Sequence, residues 1–236
     1  MTTSPHKPKS WYGKGIPCVN LDELQGSLIV IEGADGSGRS SQIAMLNDWL
    51  EGHGRATVSM GLRRSNLISP ELDKAKQGNV MGRITMNLFY TTDFMDQLEN
   101  RIIPALRAGF IVLADRYIYT LLARAYVRGI ERKWIEDLLL GVALVPDAVF
   151  YLKVSPKNLI ERNFEKHSTL DYWESGMDIG ISQDMFDSFV KYQRRVQTEF
   201  SGLQERFGFE VINGNRSPRA VQLELQAKLA RILGVG

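Results

Sequence analysis

The chain has 236 residues, of which 44% are hydrophobic, so it is long enough for one substantial core, and we expect one domain. The formal net charge is only +2, and no dense run of Lys or Arg occurs, so nothing indicates a nucleic acid or a membrane surface as a partner. No apolar run is long enough to span a bilayer and no apolar signal-peptide core begins the chain, so we expect a cytoplasmic protein. The single cysteine, Cys18, permits no internal disulfide.

Residues 1–26 are polar and contain several prolines and glycines, a composition that predicts an irregular N-terminal arm. Trp11, Tyr12 and Ile16 could pin this arm to the surface of the domain that follows. A disordered leader is the alternative.

A glycine-rich stretch follows the first apolar run of the domain. It matches the phosphate-binding pattern G-x-x-x-x-G-K-[ST] at Gly33, Gly38 and Ser40, with Arg39 in place of the lysine. The backbone N–H groups of such a loop, and the start of the helix after it, bind phosphate oxygens. A turn that binds nothing is the alternative. The predicted ATP-binding residues are Gly33, Asp35, Gly36, Ser37, Gly38, Arg39, Ser40 and Ser41.

Ser40 is expected to ligate Mg²⁺ bridging two phosphates of ATP, while Arg39 neutralises charge that develops during transfer. A second charged turn, Asp115-Arg116-Tyr117, follows the third apolar run. An aspartate at that position can hold water on Mg²⁺, and the adjacent arginine can clamp a second phosphate. Ser40 and Asp115 are therefore the predicted metal residues.

Five apolar runs alternate with helical patterns from residue 27 onward. They predict strands over 27–32, 55–60, 110–115, 147–153 and 208–213. Near-continuous apolar runs are typical of parallel strands covered on both faces. We therefore predict an α/β fold: a three-layer, doubly wound, five-stranded parallel sheet of the P-loop kinase type, with ligands at the carboxyl ends of the strands.

Two long helices are predicted over 82–107 and 182–207, each with an apolar stripe expected to face the core. Ile84 and Leu88 belong to the first of these stripes. Three serines that precede prolines are expected to cap helix starts: Ser69, Ser155 and Ser217.

In their order and wording, these motifs resemble the thymidylate kinase family of P-loop nucleoside monophosphate kinases. The resemblance covers most of residues 27–234, and residues 27–236 are identified as the kinase domain. It implies transfer of the ATP γ-phosphate, with Mg²⁺, to thymidylate by a homodimer with a mobile lid at about residues 162–182. The segments that carry it are Val30-Ile31-Glu32-Gly33 with Asp35-Gly36-Ser37-Gly38, and residues 104–109, 112–117, 146–152 and 170–171.

The resemblance also implies roles for particular residues. Asp35 would contact the sugar 3′-hydroxyl of the acceptor, and Arg116 would hold the acceptor phosphate. Either Arg63 or Arg64 would be a further phosphate clamp, and the aromatic Tyr90 would stack on the base.

Some positions depart from the family pattern, and they fall where the family reads the base and closes its lid. Phe94 stands in place of a base-contacting arginine, Arg124 in place of a tyrosine, and Tyr172 in place of a lid arginine. Phe94 and Arg124 are thus expected in a changed acceptor site. Arg162 remains as a lid cation that would stabilise charge spread over the transferring phosphate.

The leading prediction is a phosphotransferase that uses Mg-ATP to phosphorylate a nucleoside monophosphate, most directly dTMP to dTDP. Its predicted catalytic residues are Arg39, Asp115, Arg116 and Arg162. Two alternatives remain open at this point. One is the same type of enzyme with a different small-molecule acceptor, since the departures alter the pocket. The other is a nucleotide-binding protein without turnover that signals to a partner.

Overall fold

The computed structural model describes residues 8–78, 81–166 and 170–235. Residues 1–7 of the predicted arm, 167–169 of the predicted lid and the final residue of the predicted domain lie outside the described residues. The strands are β1 (Ser27–Gly33), β2 (Thr57–Gly61), β3 (Ile111–Asp115), β4 (Ala148–Lys153) and β5 (Glu210–Asn213). They form one parallel sheet in the order β2-β3-β1-β4-β5, which confirms the predicted fold class.

The helices alternate with these strands. They are α1 (Arg39–Gly52), α2 (Ser69–Gln77), α3 (Arg83–Gln97), α4 (Ile103–Arg107), α5 (Ile118–Val127), α6 (Arg132–Leu140), α7 (Pro156–Lys166), α8 (Met185–Phe207) and α9 (Pro218–Leu233). A π-helical turn, Leu98–Ile102, joins α3 to α4, and short 3₁₀ turns lie at Leu21–Glu23 and Met177–Ile179. No described helix is both long and apolar enough to cross a bilayer.

The central strand β1 shows why the fold has three layers. Successive side chains of a strand point to opposite faces. Leu28 and Val30 join the core cluster that includes residues of α3, α5 and α8, while Ile29 and Ile31 join a second cluster with residues of α1 and α9. Both faces of the sheet are therefore covered by helices, which explains the unbroken apolar run.

The apolar stripe predicted over residues 82–107 is wrong at its start. Ile84 is 58% exposed and Leu88 is 43% exposed, whereas Leu98 is fully buried. The π-helical turn between α3 and α4 accommodates one extra residue per turn, so it shifts the helical phase on either side of it. In α3 the core is instead reached by Met86 and Phe94.

Two of the three serine caps are confirmed. Ser155 Oγ accepts the backbone N–H of Asn158 at 3.3 Å, and Ser217 Oγ accepts that of Ala220 at 3.3 Å. Ser69 lies inside the first turn of α2, and its hydroxyl donates to Asp93 at 2.9 Å instead. A buried carboxylate on α3 therefore takes the hydroxyl that the sequence pattern assigned to a cap.

The described part of the N-terminal arm packs on the domain. Trp11 forms an isolated antiparallel bridge with Leu144. Lys9 pairs with the Asp147 carboxylate, which also accepts the backbone N–H of Leu28 at 2.7 Å. The arm is thereby tied to the start of the central strand.

Candidate active site

The loop between β1 and α1 takes a conformation that requires glycine. Gly36 has a φ of 80° and Gly38 a φ of 92°, both in the left-handed region. A Cβ on Gly36 would also lie 2.8 Å from the side-chain nitrogen of Asn163. Gly38 directly precedes α1, so the unpaired N–H groups at the start of that helix face the loop, as a phosphate site requires.

Arg39 is buried beneath this loop. Its Nε donates to Asp115 at 2.8 Å, and its Nη1 donates to the backbone carbonyls of Gly33 and Ala34. Burial alone would lower the pKa of the Arg39 guanidinium, but the carboxylates of Asp115 and Asp35 raise it above its ordinary value. The residue that replaces the expected lysine is thus a fixed cation under the loop.

The Ser40 hydroxyl and the Asp115 carboxylate lie side by side. Ser40 Oγ donates to Asp115 Oδ2 at 2.7 Å. Burial alone would raise the pKa of the Asp115 carboxyl, but the guanidinium groups of Arg39 and Arg116, with the Ser40 hydroxyl, hold it below its ordinary value. An ionised carboxylate beside a hydroxyl is an oxygen donor pair of the kind that Mg²⁺ prefers.

This pair fits a metal that arrives with a nucleotide. Within the described ranges, no group of three or more His, Cys, Asp or Glu residues could hold a metal ion by itself. Mg²⁺ is usually bound by one or two protein ligands together with substrate phosphates and water. Ser40 and Asp115 lie close enough to be two such ligands, and their role as metal residues stays a prediction.

A polar cavity of about 270 Å³ opens between the loop, the connection after β2 and the end of β3. Its size and its cationic walls suit phosphate groups. The residues that line it are Asp35, Arg39, Ser40, Gly61, Leu62, Arg63, Arg64, Asp73, Asp115 and Arg116. We call it the phosphate cavity.

Arg116 combines an unusual backbone conformation with an unpaired side-chain donor. Its backbone has a φ of 74°, a sparsely populated conformation for a residue other than glycine. Its Nη2 donates to Asp35, but its buried Nε has no hydrogen-bond partner among the described residues. Burial and the nearby Arg39 lower the pKa of Arg116, against the opposing effect of Asp35. An anion in the phosphate cavity would offset the excess positive charge around Arg116.

The turn after β2 directs Arg63 and Arg64 differently. Asp93 on α3 accepts the backbone N–H groups of Arg63 and Ser65, at 2.8 and 3.0 Å, and so fixes the turn. The Arg63 guanidinium donates to Asp73 at 3.3 Å, whereas Arg64 Nη2 lies 3.6 Å from Asp115 Oδ2. Arg64 is therefore the arginine directed toward the Ser40–Asp115 pair.

A second cavity, which we call the acceptor cavity, is much smaller, about 20 Å³. Asp35 connects the two cavities, because its carboxylate pairs with Arg116 and also accepts from Arg124 at 2.8 Å. Burial and the Asp35 charge raise the pKa of Glu174 to about 7. The residues that line the acceptor cavity are Lys76, Met86, Asn87, Tyr90, Leu121, Arg124, Arg128, Trp173 and Glu174.

The structure corrects two of the predicted site residues. Phe94 is fully buried and packs edge-to-face on Tyr117, with ring centroids 5.2 Å apart, so it belongs to the core and not to the acceptor cavity. Arg162 donates to the carbonyl of Gly214 at 3.0 Å and does not line the phosphate cavity, because it is engaged by the loop after β5. Ser41 is exposed in the first turn of α1 and lines neither cavity.

Glu32 is a site residue to which no sequence motif assigned a role. It is fully buried at the carboxyl end of β1. It accepts the backbone N–H groups of Tyr117 and Thr120, at 2.9 and 3.3 Å, and so fixes the turn that presents Arg116. Burial raises the pKa of Glu32 to about 7. The available signal was a lone carboxylate inside an otherwise apolar strand, since such a group needs internal partners.

A glycine loop after the central strand of a parallel sheet, with a hydroxyl–carboxylate pair beside it and arginines in the adjoining cavity, is typical of a P-loop nucleotide-binding protein. Comparison with known families agrees and is more specific. The family model described as thymidylate kinase matches residues 31–224. The chain therefore belongs to the thymidylate kinase family.

Individual relatives match over most of their length. The chain is 35% identical over 212 residues to "Probable thymidylate kinase 2" of Saccharolobus solfataricus, covering 89% of this chain and 97% of the relative. It is 28% identical over 219 residues to "Probable thymidylate kinase" of Thermococcus kodakarensis, covering 87% and 98%. It is 28% identical over 175 residues to "Thymidylate kinase" of Brachyspira hyodysenteriae, covering 70% and 82%.

Proposed function

We propose that this protein transfers the γ-phosphate of ATP to dTMP, forming ADP and dTDP. The observation that carries the proposal is Arg116, which lines the same cavity as the Ser40–Asp115 pair and whose buried Nε has no hydrogen-bond partner among the described residues. That arrangement provides a place for a second phosphate next to the phosphates of ATP. Family membership and the names of the relatives support dTMP as the acceptor.

The donor side of the reaction rests on the glycine loop. The N–H groups of the loop and of the start of α1 bind the ATP phosphates, and Arg39 neutralises charge on them from below. Ser40 and Asp115 would hold Mg²⁺, which would reduce the charge on the phosphates of ATP.

The acceptor side rests on residues of the loops after β1, β2 and β3 and of helix α3. Arg116 and Arg64 hold the dTMP phosphate, Asp35 receives the sugar hydroxyl, and Tyr90 stacks on the base. A phosphate oxygen of dTMP then attacks the γ-phosphorus in line, and the bond from that phosphorus to the oxygen shared with the β-phosphate breaks. Arg39 and Arg116 stabilise the charge that spreads over the transferring group.

The exposed face of α3 supports a homodimer. Ile84 and Leu88 lie one turn apart on this face and are 58% and 43% exposed. Beside it is a groove of about 570 Å³ whose lining includes Ile84, Ile130 and Trp134. Exposed apolar surface of this kind marks a protein interface. The mobile lid and the cytoplasmic location stay predictions of the sequence.

The test is ADP formation from Mg-ATP with dTMP, compared with other nucleoside monophosphates and with no acceptor. Stimulation by dTMP, abolished by a chelator and restored by Mg²⁺, is the expected result. ATP binding without stimulation by any nucleoside monophosphate would overturn the proposed function and favour a role without nucleotide transfer.

A further inference from the structure

Lys76 places a cation in the wall of the acceptor cavity. It lies near the end of α2 and lines that cavity together with Tyr90 and Glu174. It is only 7% exposed. Lysine is seldom buried to this extent unless its ammonium group is paired.

That pairing is incomplete. The Lys76 ammonium lies 3.7 Å from Asp171 Oδ2, which is an ion-pair distance but too long for a hydrogen bond. Asp171 uses its other oxygen to accept the backbone N–H groups of Trp173 and Glu174, at 2.9 and 3.0 Å. Among the residues that the structure describes, the Lys76 ammonium has no other charged partner. An ammonium has three N–H donors and no acceptor, so Lys76 has donors to spare.

The other two cations of the acceptor cavity are committed. Arg124 donates to Asp35 at 2.8 Å. Arg128 is bound to both carboxylate oxygens of Asp178, at 2.8 and 3.2 Å, and also to the backbone carbonyl of Trp173 at 2.7 Å. Within the described part of the chain, Lys76 is therefore the cation of this cavity that is free to bind a ligand.

We infer that the Lys76 ammonium donates a hydrogen bond to a carbonyl oxygen of the acceptor base stacked on Tyr90, and so selects an oxo-pyrimidine over an amino-pyrimidine. The inference rests on the proposed function. Thymine presents the carbonyl oxygen O4 where cytosine presents an amino group. An ammonium facing an amino group leaves two donors unpaired in a buried site, and sites of this kind discriminate strongly.

A base needs more room than the acceptor cavity offers in this structure. A volume of about 20 Å³ holds about one water molecule. Most residues that line the acceptor cavity lie on the helices α2, α3 and α5. Trp173 and Glu174 lie instead in the segment between α7 and α8. The indole N–H of Trp173 donates to the Lys76 carbonyl at 3.1 Å. Outward movement of Trp173 would break that bond and open the space beside the Lys76 ammonium.

The test compares Lys76→Met with the matched variant Lys74→Met, which changes an exposed lysine of the same helix. The readout is kcat/KM for dTMP and for dCMP. We expect Lys76→Met to reduce the dTMP-to-dCMP ratio by roughly tenfold to a hundredfold. Lys74→Met should leave the ratio unchanged, and Lys76→Arg, which keeps the donor, should retain the preference for dTMP.

Thermal unfolding of each variant shows whether it is folded. If Lys76→Met does not fold, Lys76→Gln is measured instead. An amide can form a hydrogen bond with either thymine or cytosine, so Lys76→Gln should reduce the dTMP-to-dCMP ratio of kcat/KM. An unchanged ratio in a folded variant, whether or not both rates fall, overturns the inference and leaves Lys76 a structural residue.

Equilibrium dialysis with dTMP and dCMP separates the inference about Lys76 from the proposed function. Selective dTMP binding that Lys76→Met abolishes, without turnover by the unmodified protein, overturns only the proposed function.

Discussion

Arg39 and Asp115 form the link between the phosphate loop and the end of β3, with Nε of the guanidinium 2.8 Å from Oδ1 of the carboxylate. The same guanidinium reaches the carbonyls of Gly33 and Ala34 through Nη1. Its planar fork therefore binds the loop and the Asp115 carboxylate at once. The Arg39 cation is therefore held by a carboxylate and two backbone carbonyls of the protein.

Replacing Arg39 by lysine should preserve or improve turnover. An ammonium keeps the charge under the loop, is more compact, and has three donors on one atom to share among the loop carbonyls and phosphate oxygens. The measurement is kcat for ADP formation with dTMP. Arg39→Ala should lower kcat by about a hundredfold or more, because it removes a cation from the transition state.

The control for this series is Arg55→Lys, which changes an exposed arginine far from the loop and should have no effect. A large loss of kcat in Arg39→Lys, comparable with that of Arg39→Ala, would show that turnover requires the planar guanidinium and not only a positive charge. The bond to Asp115 would then be part of catalysis.

Removal of the Arg64 side chain should raise KM for dTMP more than removal of the Arg63 side chain. Arg64 Nη2 lies 3.6 Å from Asp115, whereas Arg63 is directed to Asp73. We expect Arg64→Ala to raise KM for dTMP by roughly tenfold or more, and Arg63→Ala to raise it only a few-fold, since charged hydrogen bonds contribute about 1.5–3 kcal/mol. KM for dTMP at saturating Mg-ATP is the measurement. The reverse order of effects would assign the clamp to Arg63.

The strands and the glycine loop could be predicted from local signals. A parallel strand covered on both faces is an unbroken apolar run, and the loop is defined by glycines at fixed spacing. The stripe containing Ile84 and Leu88 could not be predicted correctly, because the π-helical turn shifts the helical phase and no pattern in the sequence indicated that turn.

Some site residues could likewise be located from local sequence signals, and others could not. Asp115 ends β3 and Arg116 follows it directly, so sequence position indicates where they lie. Lys76 and Trp173 meet across 97 positions of the chain, and no local pattern predicts that contact. Phe94 was expected at the acceptor by its position in a motif, but the helix turns that side chain into the core.

Removing the Arg116 side chain should abolish turnover. Arg116 lines the phosphate cavity, so Arg116→Ala removes the guanidinium that we propose holds the acceptor phosphate, and we expect kcat/KM for dTMP to fall by about a thousandfold. ATP affinity should change little, because Arg116 donates to Asp35 and not to the loop carbonyls. Arg107→Ala, which changes an exposed arginine paired with Glu23, is the control. Undiminished transfer by Arg116→Ala would remove the basis of the proposed acceptor site.

Glu32 should make stability depend on pH in a defined window. Burial raises the pKa of Glu32 from 4.5 to about 7 in the folded protein. The folded state therefore holds this proton more tightly than the unfolded state. The stabilisation is fully present below about pH 4.5 and is lost as the pH rises through about 7, up to about 3 kcal/mol in total.

Glu32→Gln removes this titration while keeping an oxygen that can accept the N–H groups of Tyr117 and Thr120. The free energy of unfolding in urea, measured at several pH values across this window, should fall with rising pH more steeply in the unmodified protein than in Glu32→Gln. The raised pKa of Glu174 affects both proteins and cancels in the difference. Glu205→Gln, at an exposed position, should reproduce the unmodified curve. Parallel curves for the unmodified protein and Glu32→Gln would mean that Glu32 stays ionised in the fold, with Arg39 and Arg116 offsetting its burial.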